Sequence, residues 1–299
     1  MKERLTHAGT IVMRRSLLSD YLALTKPELT LLSVVTALGA AYLAAGSSIP
    51  YSTLLHTFLG TLFVGAGAGT LNQYIERDLD VRMHRTENRP LPSGRIPEVH
   101  ALVFGIGLAL LGVLQLLVFT HYLAAFLAVV TLVSYLFLYT PLKRVTPFAT
   151  VVGGIPGALP PLIGWSAVSG DLSMGAWSLF FILFFWQMPH FLSLGWMYRK
   201  DYARAKFRLL TVVDPSGDAS SRQILVYCVA LIPAAFMPTM VGLLGMIYFV
   251  GAGILSLLFL WLAVKLYGDR SNANARRLFF SSLMYLSVLV ALMIIDRAI

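Results

Sequence analysis

Nine long apolar stretches dominate this sequence of 299 residues and leave few choices of fold. Each is long enough to cross the roughly 30 Å hydrocarbon core of a bilayer as a helix. In chain order they are residues 28–46, 53–76, 98–118, 122–140, 147–168, 174–197, 222–243, 246–266 and 277–295. Only 12% of the residues are charged, whereas soluble chains contain about 25%. The sequence therefore predicts an all-α integral membrane protein with nine transmembrane helices.

Lysine and arginine are distributed unevenly between the two sides that nine spans define. Of the 23 basic residues, 22 fall on the side of the N-terminus and the two long connections, 77–97 and 198–221. Cytoplasmic loops show this excess, so we expect that side to be cytoplasmic and the C-terminus to lie outside. Topology then accounts for most of the net charge of +9, and we expect no nucleic-acid partner.

Residues 1–20 are polar and basic, and no apolar segment with a cleavage site follows them. A removed signal peptide is therefore not expected. We interpret residues 1–20 as a cytoplasmic N-terminal tail and residues 21–299 as a single transmembrane domain.

The stretch 71–94, LNQYIERDLDVRMHRTENRPLPSG, begins in the second apolar segment and ends in a charged connection. If the helix continues to Asp80, then Asn72, Glu76 and Asp80 lie one turn apart and project from one face. Amide and carboxylate oxygens on one face suit Mg²⁺, which one or two carboxylates commonly hold together with substrate phosphates. Asp78 would point elsewhere. The alternative is a solvated cluster of charges at the membrane surface.

Further candidates lie on the same side of the membrane. Lys143 and Arg144 end the fourth span, where they either anchor an anionic head group or only set the topology. His190 lies in the apolar part of the sixth span, where an ionisable group is a functional candidate. The alternative for His190 is a structural histidine hydrogen-bonded between helices. Lys200 and Asp201 follow at the cytoplasmic end of that span.

Glycine and proline crowd the fifth span, and we expect this helix to bend or break. Irregular backbone at membrane depth is tolerated where it is buried in protein or lines a cavity. The span is therefore either a cavity wall or a kink required for packing. The residues concerned are Gly153, Gly154, Pro156, Gly157, Pro160 and Pro161.

Several motifs resemble those of the UbiA superfamily of intramembrane prenyltransferases. Asn72-x3-Glu76-x3-Asp80 is similar to its NxxxDxxxD motif, with Glu in place of the first Asp. Between about residues 21 and 215, further segments resemble the haem-farnesylating group of that superfamily. They are LTKP (24–27), NQYIERDLDVRMHRTENRPLPSG (72–94), YTPLKRVTPF (139–148) with GGIPGALPPLIGW (153–165), and WQMPHF (186–191) with KDY (200–202). Ala149 departs from this pattern, where an asparagine is expected.

The resemblance implies a UbiA-like bundle of nine helices around a central cavity, in the plasma membrane of a bacterium. It also implies transfer of the farnesyl group of farnesyl diphosphate to a vinyl group of haem b, giving haem O and diphosphate. Mg²⁺ would be held by Asn72, Glu76 and Asp80. The cations expected around the diphosphate are Arg85, Arg89, Lys143 and Lys200.

On the acceptor side, the resemblance implies that His190 ligates the haem iron or orients the porphyrin, with Arg144 and Asp201 nearby. Haem A synthase, which would act on the product, is an implied partner. Two other functions stay open. The first is prenyl transfer to a quinone precursor or chlorophyllide. The second is an ion-coupled transporter, which is disfavoured because the acids cluster at one membrane face instead of near the centres of spans.

Overall fold

The computed structural model describes residues 16–46, 48 and 50–298, and regular structure in this part of the chain is entirely helical. Nine helices among these residues are long and apolar enough to cross a membrane, as predicted. They are α2 (Pro27–Ala44), α3 (Tyr51–Asp80), α4 (Glu98–Phe119), α5 (Tyr122–Val133) continued to Leu142, α7 (Ala149–Ser169), α8 (Met174–Met197), α11 (Asp218–Met240), α12 (Met246–Gly268) and α13 (Asn272–Ala298).

The described residues also form four shorter helices. They are α1 (Leu17–Leu24), α6 (Thr140–Leu142), α9 (Arg199–Arg204) and α10 (Leu210–Val213), and α6 is the end of the fourth span. The helix α1 begins inside the tail predicted for residues 1–20, and most of that tail lies outside the described residues. The Ser16 hydroxyl caps α1 by accepting from Ser19 N at 3.2 Å. Hydroxyl caps of this kind satisfy one of the free N–H groups at a helix start.

The fourth span is interrupted, although the sequence predicted a plain helix over 122–140. Residues Ser134–Tyr139 form a π-helical segment between α5 and α6. Pro141 has no N–H to donate, and both the N–H and the hydroxyl of Thr140 instead bond to Tyr135 O. This wider turn changes the direction of the side chains that follow it, and such segments often occur at functional sites.

The fifth span, α7, is one continuous helix despite Pro156, Pro160 and Pro161 in its interior. The expected break is therefore absent, and the irregular span is the fourth. One backbone carbonyl of α7 accepts a hydrogen bond from a neighbouring helix: Gln187 Nε2, in α8, donates to Gly154 O at 2.8 Å. Side chains of neighbouring helices can satisfy backbone groups around proline in this way.

Two helices form the centre of the bundle. Within an apolar stretch of 18 residues, 72% of the residues of α7 and of α8 are buried, compared with 22% in α4. The helix α7 packs against α2, α5 and α8, while α8 also packs against α11 and α13. The outer faces of the remaining spans expose large apolar side chains, as expected for helices that face lipid.

Candidate active site

The end of α3 presents three polar side chains to the interior of the protein. Asn72, Glu76 and Asp80 are 1%, 6% and 1% exposed, and they follow one another at intervals of one turn. Because α3 is unbroken as far as Asp80, all three lie on one face. Asp78 is exposed. The structure therefore places two carboxylates and an amide together inside the protein, and Asp78 outside.

Two of the predicted cations contact these carboxylates. Arg89 Nη1 donates to Asp80 Oδ2 at 2.7 Å, and Lys143 forms an ion pair with Glu76 Oε1. Both carboxylates are buried, where charge–charge interactions are stronger than in water. Burial by itself would lower the pKa of Lys143, but the Glu76 carboxylate outweighs that effect and the pKa is raised. Lys143 is therefore a permanent cation of the site at neutral pH.

Lys26 is a third cation, which the sequence analysis did not identify. It lies between α1 and α2 with a φ of 48°, and its ammonium donates to Asn72 Oδ1 at 2.5 Å. Gln73 holds this connection in place, because its Nε2 donates to two carbonyls at the end of α1 at 2.9 and 3.1 Å. Burial, followed by repulsion from Arg89, lowers the pKa of Lys26 to about 7. A lysine before a span is expected from topology alone, so only its place in the LTKP motif could have indicated this role.

The orientation of the Asn72 amide is fixed by the fourth span. Asn72 Nδ2 donates to Thr140 Oγ1 at 3.0 Å, and Thr140 in turn donates to Tyr135 O at 2.8 Å. Because the amide nitrogen is held by Thr140, the amide oxygen is the atom on the side of Lys26. The π-helical segment therefore contributes to the site, since it ends at Thr140 and precedes Lys143.

The oxygen atoms of this cluster suit a divalent cation. Asp80 Oδ1 is buried and has no hydrogen-bond partner among the described residues, and a buried carboxylate oxygen is costly to leave unsatisfied. One amide and two carboxylates are hard oxygen donors of the kind that Mg²⁺ prefers. Lys143 and Arg89, joined by Lys26 when it is protonated, face two carboxylates here, so a bound phosphate group would also find positive charge.

Among the described residues, the other predicted site residues form no hydrogen bond or ion pair with this cluster. Arg85 is exposed, and its guanidinium donates to a tyrosine hydroxyl beyond α8 at 3.2 Å. Asp201 pairs with an arginine one turn later in α9. Arg144 and Lys200 are exposed. In the described part of the chain, Arg89 and Lys143 pair with the carboxylates of the cluster, and these four residues do not.

A cavity with about 1330 Å³ of atom-free space, part of it open to the surroundings, lies beside the cluster. Lys26, Tyr135 and Tyr139 line it, and most of the remaining lining is apolar or contains only threonine hydroxyls. The fifth span forms one wall through Gly153, Pro156, Gly157, Pro160 and Ile163. This confirms the prediction that the fifth span lines a cavity.

His190 also lines this cavity and is 7% exposed. Its ring stacks against Trp186 and Phe279, with centroids 5.1 and 4.6 Å away. Nδ1 lies 2.7 Å from Ser282 Oγ. The sequence offered two roles for His190, and the structure supplies the features of both: an interhelical hydrogen bond and access to the cavity.

Comparison with known proteins identifies the family. Residues 33–289 match the model of the UbiA prenyltransferase family. The chain belongs to that family. A relative described as protoheme IX farnesyltransferase, from Solibacter usitatus (strain Ellin6076), is 44% identical over 93% of this chain and 98% of its own length. Further relatives with the same description are 39–45% identical.

Solved structures of UbiA proteins share the fold of this family member. A digeranylgeranylglyceryl phosphate synthase superposes with a TM-score of 0.78 at 18% identity, covering 94% of this chain and 98% of its own. A UbiA homologue from Archaeoglobus fulgidus, bound to DMAPP and Mg²⁺, superposes with a TM-score of 0.64 at 16% identity, covering 92% and 99%. For the described part of the chain, these likenesses confirm the predicted nine-helix UbiA bundle. The family match and the 44% identical relative show that the protein is a prenyltransferase.

Proposed function

We propose that this prenyltransferase transfers the farnesyl group of farnesyl diphosphate to a vinyl group of haem b, giving haem O and diphosphate. The observation that supports it most strongly is the buried face of Asn72, Glu76 and Asp80, with its three cations, beside an apolar cavity that also contains His190. The relatives described as protoheme IX farnesyltransferase favour haem b over a quinone precursor or chlorophyllide as the acceptor.

The donor would bind with its diphosphate at the cytoplasmic end of α3. Asn72, Glu76 and Asp80 would hold Mg²⁺, which when bound stabilises negative charge on the diphosphate oxygens. A UbiA homologue has been solved with a prenyl diphosphate and Mg²⁺, which agrees with this assignment. Lys143 and Arg89 would contact the same oxygens, and Lys26 extends the positive surface to the cavity wall.

Chemistry begins when the bond between the first farnesyl carbon and the diphosphate oxygen breaks, and the diphosphate leaves with the electron pair. Lys143 and Arg89 would favour this step, because they lie beside the carboxylates that would hold the metal and are close to where the negative charge would develop. The vinyl electrons of haem b then attack the allylic cation. Water adds to the carbon left electron-deficient and loses a proton, which completes the hydroxyethylfarnesyl side chain. The apolar cavity excludes other water from the cation.

The acceptor would lie against α8. His190 is the group with lone-pair chemistry in the apolar part of the cavity wall, and neutral imidazole is a common iron ligand. Arg85, Arg144 and Lys200 are exposed cations at the cytoplasmic end of the bundle, where they would attract the anionic propionates of haem. The Asp201 carboxylate would offset part of the positive charge of these three residues.

The excess of basic residues on one side supports an orientation with the N-terminus and the diphosphate site facing the cytoplasm. Residues 21–299 would then act as one membrane domain in the plasma membrane of a bacterium. Haem O would leave towards the enzyme that oxidises it, haem A synthase.

The direct test is pigment extraction from a host that lacks its own haem O synthase. After expression of this chain, mass spectrometry should detect haem O, and omission of the chain should abolish it. Prenylated quinone precursor without haem O would contradict the proposal and support the alternative acceptor. The Asp80→Asn variant, expressed to the same level, provides the inactive control.

A further inference from the structure

We propose that Ser282 of α13 is a positioning residue that holds His190 in one tautomer, with the proton on Nδ1 and the lone pair on Nε2. The inference rests on the proposed function, because it concerns how His190 would present a ligand atom to haem iron. Ser282 lies in the last span, beyond the segments that resembled the family motifs.

The assignment follows from counting protons. The Ser282 hydroxyl has one hydrogen, and Oγ lies 2.5 Å from Phe279 O, one turn earlier in the same helix. A carbonyl and a hydroxyl oxygen at that separation require the hydrogen between them. The hydroxyl therefore donates to Phe279 O and can only accept from His190, whose Nδ1 is 2.7 Å away. An imidazole buried in an apolar span is neutral and has a single ring proton, so that proton lies on Nδ1 and Nε2 is unprotonated.

The surroundings fix the plane of the ring as well as its tautomer. Trp186, one turn before His190, donates from Nε1 to the backbone oxygen of Ser282 at 2.7 Å. The Trp186 and Phe279 rings both stack against the imidazole, at interplanar angles of 22° and 28°. Ser282 thus accepts from both Trp186 and His190, which ties α8 to α13 at this level. Ser282 is fully buried, so water cannot substitute for its oxygen.

The remaining ring atom is available for a ligand. His190 Nε2 has no hydrogen-bond partner among the described residues, and His190 lines the cavity. Histidines that ligate metals usually donate their other N–H to a protein oxygen, which fixes the ring and increases its basicity. Loss of such an oxygen typically weakens metal binding 10- to 100-fold. The Ser282 hydroxyl meets the geometric requirements of that role.

The test uses the full chain in lipid nanodiscs with haem b as the probe. Ser282→Ala removes the acceptor, Ser282→Thr keeps a hydroxyl, and Ser256→Ala is the matched control. Ser256 is equally buried and pairs with Tyr285 OH, away from His190. Haem affinity is measured by optical titration, and the iron–histidine stretching band of the ferrous complex by resonance Raman spectroscopy. Melting temperature and affinity for farnesyl diphosphate are measured in parallel.

We expect Ser282→Ala to weaken haem binding about tenfold or more and to lower the iron–histidine frequency, because the ligand becomes less basic. Ser282→Thr should restore both, and Ser256→Ala should change neither. An unaltered band and affinity in Ser282→Ala, with the band lost in His190→Ala, would overturn the role of Ser282 and leave the proposed function standing. A band that survives His190→Ala would instead overturn iron ligation by His190. Equal losses of haem affinity in Ser282→Ala and Ser256→Ala would show that Ser282 has only a structural role, and would overturn the proposal.

Discussion

Replacing Asp80 by asparagine tests the metal assignment with little change in shape. Asp80 is 1% exposed, its Oδ2 is 2.7 Å from Arg89 Nη1, and its Oδ1 is buried without a partner. The amide occupies the same volume but has no negative charge and only one oxygen. The substitution therefore removes one of the carboxylates proposed to hold the metal and leaves the Arg89 guanidinium, a quarter exposed, without its counter-charge.

The expected loss can be estimated from the chemistry of the departing diphosphate. Removing one preorganised electrostatic contact to developing charge typically lowers turnover by about 10²–10³, or about 2.7–4 kcal/mol. In the proposed site Asp80 would act both through the metal and through its ion pair with Arg89, so we expect at least about a hundredfold loss in haem O formation. Asp78→Asn is the matched control. Asp78 is exposed two residues earlier, and its substitution should change the rate by no more than about twofold.

The assay is haem O formation by purified enzyme in nanodiscs, quantified by mass and repeated over a range of Mg²⁺ concentrations. Asp80→Asn should require more Mg²⁺ and still not reach the normal rate, while Asp78→Asn should follow the unmodified curve. Full activity of Asp80→Asn in the presence of a chelator would refute the metal site. Equal losses in the two variants would refute the argument from one helix face. Melting temperatures must be compared, because an unpaired Arg89 also destabilises the fold.

Three further predictions follow from the same geometry. Glu76→Asp should stay active, because it shortens the ligand by one methylene and keeps its charge, whereas Glu76→Gln should lose at least about a hundredfold in the haem O assay. His190→Ala should weaken haem b binding and alter the bound haem spectrum while affinity for farnesyl diphosphate stays unchanged; a normal spectrum with a lower melting point would identify a structural histidine. Gly164→Ala should destabilise the protein by about 1–3 kcal/mol in thermal melts, since its Cβ would lie 1.8 Å from Ala37 O, whereas Gly107→Ala meets no atom within 4 Å and should be tolerated.

The architecture could be predicted because the bilayer allows few solutions. A span of about twenty apolar residues has almost no alternative to a helix, and each of the nine predicted spans occurs in the structure to within about five residues at either end. The shared face of Asn72, Glu76 and Asp80 was predictable for a related reason. It depends only on the helical period and on α3 continuing four residues beyond its expected end.

Other parts of the site depend on contacts between segments that are distant in the chain. The spacing of residues along the sequence does not show such contacts. Lys26 meets Asn72 because the link between α1 and α2 crosses α3 at Gly69, whose Cβ would lie 3.0 Å from Thr25 O. The π-helical turn before Thr140 was missed because a proline near the end of a span is equally compatible with a helix stop. Arg85 and Lys200 were expected around the diphosphate, and Arg144 beside haem, from the resemblance to family motifs. A motif does not show which contacts an exposed side chain makes.

The residues proposed to bind the diphosphate and the residues proposed to bind haem iron belong to different parts of the bundle. This division explains how one cavity could hold two unlike substrates. Every side chain of the diphosphate cluster comes from the first half of the chain, between Lys26 and Lys143. The proposed iron ligand His190 and its positioning residue Ser282 come from α8 and α13, which pack against each other. The cavity between them is walled by α7, whose small residues and prolines leave room without adding charge. Substitutions in one set should therefore change the affinity for one substrate only. A variant of Asp80 that weakens haem binding as strongly as His190→Ala does would show that the two sites are not separate.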